Sequence, residues 1–171
     1  MLPLIRTLLE ITLLKKGPED IPHSWLVLYL CVGLWVFALL AMTVLLQNFS
    51  VDEAWIALLS WVLGLFCFVL VLTFSGQPGR SLQTVAALAG VGAVISLVML
   101  AELVFLTPFL GGNIANLGAI LVLFWSVPVK GHIIARAIER HWYIGIVIAM
   151  FVFILQYAFA SALTSNLAPD S

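Results

Sequence analysis

The sequence predicts an all-α integral membrane protein with five transmembrane helices. The first indication is composition, because 64% of the 171 residues are hydrophobic and only 9% are charged. Soluble domains carry about 25% charged residues and interrupt their apolar runs far more often. The second is length, because the apolar runs approach the ~20 residues that cross a bilayer core of about 30 Å. The third is charge, since all seven Lys and Arg residues fall in connections on one side of these runs.

The charge pattern also predicts the orientation of the chain. Loops on the cytoplasmic side of a membrane collect Lys and Arg, so the connections with basic residues are expected in the cytoplasm. The N-terminus would then be cytoplasmic and the C-terminus outside. With loops this short, the pattern favours a multi-pass protein of a bacterial inner membrane. The prediction rests on Arg6, Lys15, Lys16, Arg80, Lys130, Arg136 and Arg140.

Residues 1–16 are predicted to form an amphipathic helix that lies in the headgroup plane on the cytoplasmic face. Leu and Ile side chains cover most of its surface, and Arg6, Thr7 and Glu10 form a narrow polar stripe. Lys15 and Lys16 are expected in its last turn, where cations suit the helix dipole. Residues 17–24 follow as a Gly/Pro hinge, because two prolines four residues apart exclude a continuous helix.

The five-helix bundle is predicted over residues 25–163, with residues 164–171 as a short outer tail. Its spans are expected at residues 25–46, 54–74, 81–106, 114–129 and 142–163. Pro108, Gly111 and Gly112 are expected to end the third span. Pro128 is expected to kink the fourth, after which residues 130–141 would continue as a polar helix at the cytoplasmic surface.

The first half of the third span is dense in small residues. Ala86 with Gly90, and Ala89 with Ala93, form small-xxx-small pairs that let two helix backbones approach closely. We therefore expect these residues to form the central packing seam of the bundle.

A charged cytoplasmic rim is predicted where the hinge meets the connection between the fourth and fifth spans. One interpretation is a salt-bridge network between these two segments. The other is a surface that docks a protein partner, or an anionic lipid headgroup through Lys130, Arg136 and Arg140. His23, His132 and His141 with Glu19 or Asp20 match no metal-ligand spacing, so no metal is predicted. The rim residues with a predicted binding role are Lys16, Glu19, Asp20, His23, Lys130, His132, Arg136, Glu139 and Arg140.

Glu102 is the one acidic residue inside an apolar span, and intramembrane carboxylates are functional candidates by default. At ~1.5 Å per residue from Ser81, it lies ~30 Å along the helix, close to the outer interface. There it could reach water or a polar group such as Asn113. A satisfied structural carboxylate and an ion or proton site are both open interpretations.

Other chemistry has little support in the sequence. Cys31 and Cys67 both fall within spans and are expected to be reduced packing residues. No nucleophile elbow, Gly-rich phosphate loop or paired carboxylates indicate an enzyme or a cofactor. No basic arm interleaved with aromatic residues indicates nucleic-acid binding. Five spans without equal halves argue against a monomeric transporter.

Five closely spaced spans with a cytoplasmic N-terminus resemble the YIP-type family of Rab/Ypt-interacting membrane proteins, in its bacterial branch. The resemblance is carried by residues 16–22 (KGPEDIP), 80–84 (RSLQT) and 125–132 (WSVPVKGH). It implies a non-enzymatic membrane organiser or adaptor. The leading hypothesis is therefore an inner-membrane adaptor or assembly subunit that binds a membrane protein or lipid through the rim. The alternative is a homo-oligomeric channel or transport component, with the third-span seam at the subunit contact and Glu102 near the outer mouth.

Overall fold

The computed structural model describes residues 2–45 and 50–167. These residues form six α-helices, two short 3₁₀ turns and no strand. The last five helices are long and apolar enough to cross a bilayer. The predicted all-α class with five spans is therefore confirmed, and the chain is a multi-pass membrane protein. The helices are α1 (Leu2–Thr12), α2 (Trp25–Leu45), α3 (Val51–Phe74), α4 (Ser81–Leu110), α5 (Gly112–Ala137) and α6 (Trp142–Leu167), and the 3₁₀ turns are Pro18–Asp20 and Pro78–Arg80.

The helix boundaries follow from local chemistry. Ser50 and Glu53 form a reciprocal capping box at the start of α3, so two of its first backbone donors are satisfied. At its other end Gly76 adopts a positive φ of 76°, and the amides of Gly76 and Gln77 bond back to Thr73 and Leu72. This Schellman motif closes the helix before the next turn.

Helix α4 lies at the centre of the bundle. It packs along α2 on one side and α5 on the other, and α1 rests on its N-terminal half. Helix α6 packs along α5, and α3 packs mainly against α6 rather than against α2, its neighbour in the chain. The buried core is richest where α1 meets the bundle, at the end that carries the basic residues. Its largest members include Leu8, Ile11, Ile21, Leu72, Val91, Val129, Ile133, Ile134 and Val152.

Helix α1 is shorter than predicted and is docked on the bundle. It ends at Thr12 rather than at residue 16, because Leu14 takes a positive φ of 61° and the amide of Lys15 bonds back to Glu10. Lys15 and Lys16 therefore lie beyond the helix. Leu8 and Ile11 are buried in the core, whereas Ile5, Leu9 and Leu13 are exposed.

Two span ends lie further along the chain than predicted. Helix α4 runs through Pro108 to Leu110, because Gly111, with a φ of 79°, ends it and donates its amide to the Thr107 carbonyl. A proline is tolerated there because the last turn loses a single intrahelical bond. Helix α6 continues to Leu167, so residues 164–167 belong to the helix and not to a tail. Residues 168–171, and residues 46–49 of the predicted outer turn, lie outside the described residues.

The fourth span is also longer than predicted, because residues 130–137 continue α5 without a break at Pro128. This stretch is not a polar surface helix. Val129, Ile133, Ile134 and Ala137 are all buried against the neighbouring helices. Their apolar burial outweighs the scattered charges of the segment. The helix ends in a Schellman motif at Glu139 (φ 54°), so Arg140 lies beyond it rather than on a shared helical face with Arg136.

Candidate functional site

The basic end of the bundle carries a network of ion pairs and hydrogen bonds. It forms where α1 and the hinge meet the start of α4 and the end of α5. We call this network the charged rim. Its members come from positions as far apart as residue 10 and residue 139, so it can form only in the folded chain. The charged rim consists of Glu10, Lys16, Glu19, Arg80, His132, Arg136 and Glu139.

Glu10 is the anchor of the rim on α1. Its two carboxylate oxygens lie 2.8 Å from Lys16 Nζ and 3.0 Å from Arg6 Nε. The Lys16 ammonium, followed by the Arg6 guanidinium, holds the pKa of the Glu10 carboxyl below its usual range. Lys16 thus folds back over the end of α1 instead of extending it.

The hinge and α4 are both tied to the end of α5. Glu19 Oε1 lies 3.1 Å from Arg136 Nε, so the structure pairs an acidic residue of the hinge with a basic residue of α5. Arg80 forms an ion pair with Glu139 and also donates to the carbonyls of Arg136 and Ala137 at 3.4 Å. A guanidinium at this position satisfies carbonyls that the end of a helix leaves unpaired.

Uncharged contacts reinforce the same junction. His132 Nε2 lies 3.1 Å from the Lys16 carbonyl, and Gln83 donates its side-chain amide to the Ile21 carbonyl at 2.7 Å. The indole of Trp125 donates to the Thr12 carbonyl at 3.2 Å. These bonds satisfy backbone carbonyls in the turn after α1 and in the hinge, where regular helix bonds are missing.

Four residues of the predicted binding set make no contact across the rim. Asp20 accepts a hydrogen bond from the Gly17 amide at 3.0 Å and therefore caps its own turn. The side chains of His23 and Arg140 are exposed, without a hydrogen bond or ion pair to any described residue. Lys130 does not lie on the rim, because its side chain lines a cavity inside the bundle. Within residues 2–45 and 50–167, no group of three or more His, Cys, Asp or Glu side chains could hold a metal ion.

The small residues of α4 are buried inside the chain. Ala86, Ala89 and Ala93 have almost no exposed surface, and Gly90 is buried with them. A β-carbon at Gly90 would lie 2.5 Å from Leu8 Cδ2 and 3.1 Å from Cys31 Sγ. The small side chain at Gly90 therefore admits α1 on one side and α2 on the other.

Glu102 lies against α5, where Gly118 leaves room for its carboxylate. Its Oε2 atom is buried and has no hydrogen-bond partner among the described residues. The side chain of Asn113, its predicted partner, lies outside the described residues. A buried carboxylate oxygen without a hydrogen-bond partner destabilises the fold, so Glu102 remains a candidate ion or proton site.

A cavity of about 310 Å³ lies within the bundle, and all five spanning helices contribute to its wall. Trp35 of α2 and Trp61 of α3 stack with ring centroids 4.1 Å apart and form one side. The lining is mainly apolar, but five polar side chains interrupt it. These are Ser60, Ser96, Ser126, Lys130 and Gln156, with the phenol of Tyr157 beside them.

Gln156 joins α6 to α3 beside this cavity. Its amide donates to the Ser60 carbonyl at 2.6 Å, and it fits because Gly64, one turn further along α3, has no side chain. The Ser60 hydroxyl is buried and has no hydrogen-bond partner among the described residues. Polar groups from several helices therefore meet inside the bundle.

The sequence analysis did not predict this cavity, the places of Glu10 and Arg80 in the charged rim, or the hydrogen bond from Gln83 to the hinge. A lone glutamine in the apolar run of α6 was a readable signal for Gln156, because an amide in a membrane span needs a partner. Lys130 was misassigned because Pro128 suggested that the span had ended. Nothing in the local sequence distinguishes Gln83 from an ordinary surface residue.

Three comparisons with known proteins found no relative of this chain. No protein-family model matches it, no curated protein matches it and no solved structure matches it. The charged rim, Glu102 and the central cavity are therefore the observations on which its function is inferred.

Proposed function

We propose that this protein is a non-enzymatic adaptor or assembly subunit of a bacterial inner membrane. Its docking face is the charged rim together with the exposed groups around it, oriented toward the cytoplasm. The proposal agrees with the resemblance to the YIP-type family, whose members imply an organising rather than a catalytic role. The bound component is a second membrane protein or an anionic lipid.

The observation that carries the proposal is the way the rim is built. The ion pairs of Glu19 and Glu139 join the hinge and the turn before α4 to the end of α5. The Glu10–Lys16 pair, with the contact of His132 to the Lys16 carbonyl, adds the end of α1. Exposed ion pairs contribute little stability one by one, about 0–1 kcal/mol each. Several of them on a junction of four segments define the shape of a surface more than they stabilise the fold, which suits a preorganised docking face.

The net positive charge at this end of the bundle favours an acidic or anionic partner. Six basic and four acidic side chains lie at this end outside the cavity, which gives a net charge of +2. They are Arg6, Lys15, Lys16, Arg80, Arg136 and Arg140, and Glu10, Glu19, Asp20 and Glu139. Arg140 and Lys15 are exposed and without an ion-pair partner among the described residues. A positive surface beside the membrane attracts acidic segments and anionic headgroups.

Native mass spectrometry tests the proposal directly. The tagged chain is extracted from its own membrane in a mild detergent, and the mass of the complex identifies any attached subunit or lipid. We expect a defined partner, and we expect Arg136→Glu with Arg140→Glu to lower its occupancy at least five-fold. Unchanged occupancy in this double variant would overturn rim docking.

A charge swap separates docking from simple loss of structure. Arg136→Glu alone breaks the pair with Glu19, whereas Glu19→Arg combined with Arg136→Glu restores an ion pair of the opposite sense. If Arg136 acts through the network, the swap should restore binding of the docked component. Arg140→Glu should weaken binding of the docked component without altering the network, since the Arg140 side chain makes no hydrogen bond or ion pair with the described residues of the rim.

The alternative function is a homo-oligomeric channel or transport component, and the unpartnered carboxylate of Glu102 favours it. The seam of Ala86, Ala89, Gly90 and Ala93 is used inside the chain, so subunits would have to meet elsewhere. Ion flux in proteoliposomes that falls in Glu102→Gln would support this alternative. A ring of identical chains without flux would remove it.

A further inference from the structure

The central cavity lies at mid-depth in the bundle, independent of the rim. Along α6, Phe153 and Gln156 are ~16 and ~21 Å from the start of the helix at Trp142, taking ~1.5 Å per residue. Along α5, Lys130 is ~10 Å from the last residue, Ala137. Lys130 therefore enters the cavity from the basic end, and Gln156 marks its middle.

Several polar side chains at the cavity lack a partner among the described residues, and two of these stand out: Lys130 by its charge and Ser60 by its burial. Lys130 forms no hydrogen bond or ion pair with any described residue. The Ser60 hydroxyl, on the facing helix α3, is buried and makes no hydrogen bond to any part of the chain that is described. Buried polar groups and charges within a membrane bundle are normally paired, so the buried Ser60 hydroxyl and the half-buried Lys130 are expected to share a partner.

The rest of the wall is apolar and aromatic. Trp35 and Trp61 present a stacked pair of rings, and Gly92 leaves the space in which Trp35 lies, since a β-carbon there would be 3.3 Å from its ring. Phe153 and Met99 extend this surface. A mainly apolar pocket with a few convergent polar groups is the usual form of a small-molecule site.

We propose that this cavity binds a monocarboxylate with an apolar body, its carboxylate on Lys130 and Ser60 and its body against the tryptophan pair. Lys130 can neutralise one negative charge on a ligand, because none of the other described residues that line the cavity is a cation. A dianion would leave a net charge in a medium that penalises it, and a neutral ligand would leave the ammonium unpaired. The body must be small, since about 310 Å³ corresponds to roughly ten water molecules.

Equilibrium binding to the purified full chain in neutral detergent micelles tests the proposal. Radiolabelled decanoate represents a fatty acid and 2-naphthoate an aromatic acid, and the tighter of the two identifies the apolar body. We expect saturable binding of at least one. Decanol and decylamine, which lack the carboxylate, should bind at least ten-fold more weakly.

Variants assign the site to the cavity. Lys130→Met should lower carboxylate affinity at least ten-fold, and it should fold normally because it replaces a half-buried charge by an apolar chain of similar length. Lys130→Arg keeps the charge and should stay within a few-fold of the parent. Lys15→Met, which removes an exposed cation far from the cavity, is the matched control and should bind like the parent.

Three results would overturn the proposal. They are a lack of saturable carboxylate binding, equal affinity in Lys130→Met and the parent, and tighter binding of decyl phosphate than of decanoate. Ser60→Ala gives a second check, because loss of the hydroxyl should weaken binding of the carboxylate and leave binding of decanol unchanged. An equal effect on both ligands would indicate a change in packing and would likewise count against the proposal.

Discussion

At the scale of single residues, two glycines set the distance between α5 and α6. A β-carbon on Gly131 would lie 2.8 Å from the Ile146 backbone, and one on Gly145 would overlap the Gly131 carbonyl and the Ala135 backbone. Backbone atoms cannot rotate away as a side chain can. The two helices therefore approach as closely as they do only because both positions lack side chains.

Gly145→Ala should for this reason destabilise the bundle by about 1–3 kcal/mol, the usual effect of overpacking. Gly33→Ala is the matched control, because a β-carbon there meets nothing within 4 Å. It should be neutral or slightly stabilising, since alanine favours a helix over glycine. Unfolding of both variants in mixed micelles measures the difference. Equal stability of the two would contradict close helix contact at Gly145.

Glu10 predicts how the rim responds to acid. Lys16 and Arg6 lower the pKa of its carboxyl in the folded chain, so ionised Glu10 favours folding. This contribution is complete above the ordinary carboxyl pKa of 4.5 and is lost as the pH falls through the lower folded-state pKa. The parent should therefore be more stable than Glu10→Gln near neutral pH, and the gap should close in acid. A gap independent of pH would exclude an ionic role for Glu10.

At the scale of elements, one pair of complementary residues contributes to the docking of α1 on α4. Leu8 is 1% exposed and occupies the space that Gly90 leaves, whereas its neighbour Leu9 is 46% exposed. Burial of Leu8 shows that α1 contributes to the core. A helix held only by headgroups would not require this fit.

Leu8→Ala should cost about 2 kcal/mol or more, and Leu9→Ala much less. Gly90→Leu should disrupt the seam, because the new side chain would occupy the place of Leu8. A double-mutant cycle sharpens the test. Gly90→Ala should be less destabilising in the Leu8→Ala background, since the overlap with Leu8 Cδ2 is gone. Additive effects in thermal unfolding would exclude direct contact between the two positions.

The elements also show what the sequence could and could not predict. Apolar length predicted five spans, because a span must satisfy its own backbone in lipid whatever its neighbours are. The end of α5 was predicted wrongly, because Pro128 and the charges after it are typical of a surface segment, whereas Ile133 and Ile134 are buried. The cavity was out of reach, because Ser60, Lys130 and Gln156 lie on three helices whose packing order the local pattern does not encode.

At the scale of the whole molecule, charge is separated along the bundle. Outside the cavity, the basic end carries a net charge of +2, whereas Asp52 and Glu53 lie at the start of α3, at the opposite end, in a connection without a basic residue. An excess of Lys and Arg retains a short connection in the cytoplasm, and acidic residues contribute little to the choice. The predicted orientation therefore rests on the same basic residues that form the rim.

Cysteine labelling tests this orientation in intact bacterial cells. In a background without Cys31 and Cys67, Val51→Cys places a thiol at an exposed position beside the acidic end, and Gly79→Cys places one in the turn before α4. A membrane-impermeant maleimide should label Val51→Cys in intact cells and Gly79→Cys only after the membrane is opened, because the turn with Arg80 is expected inside. Each variant serves as the control for the other, since both positions are open to solvent in the folded chain. The reverse pattern would place the rim outside the cell, and a docking face for cytoplasmic partners could not then exist there.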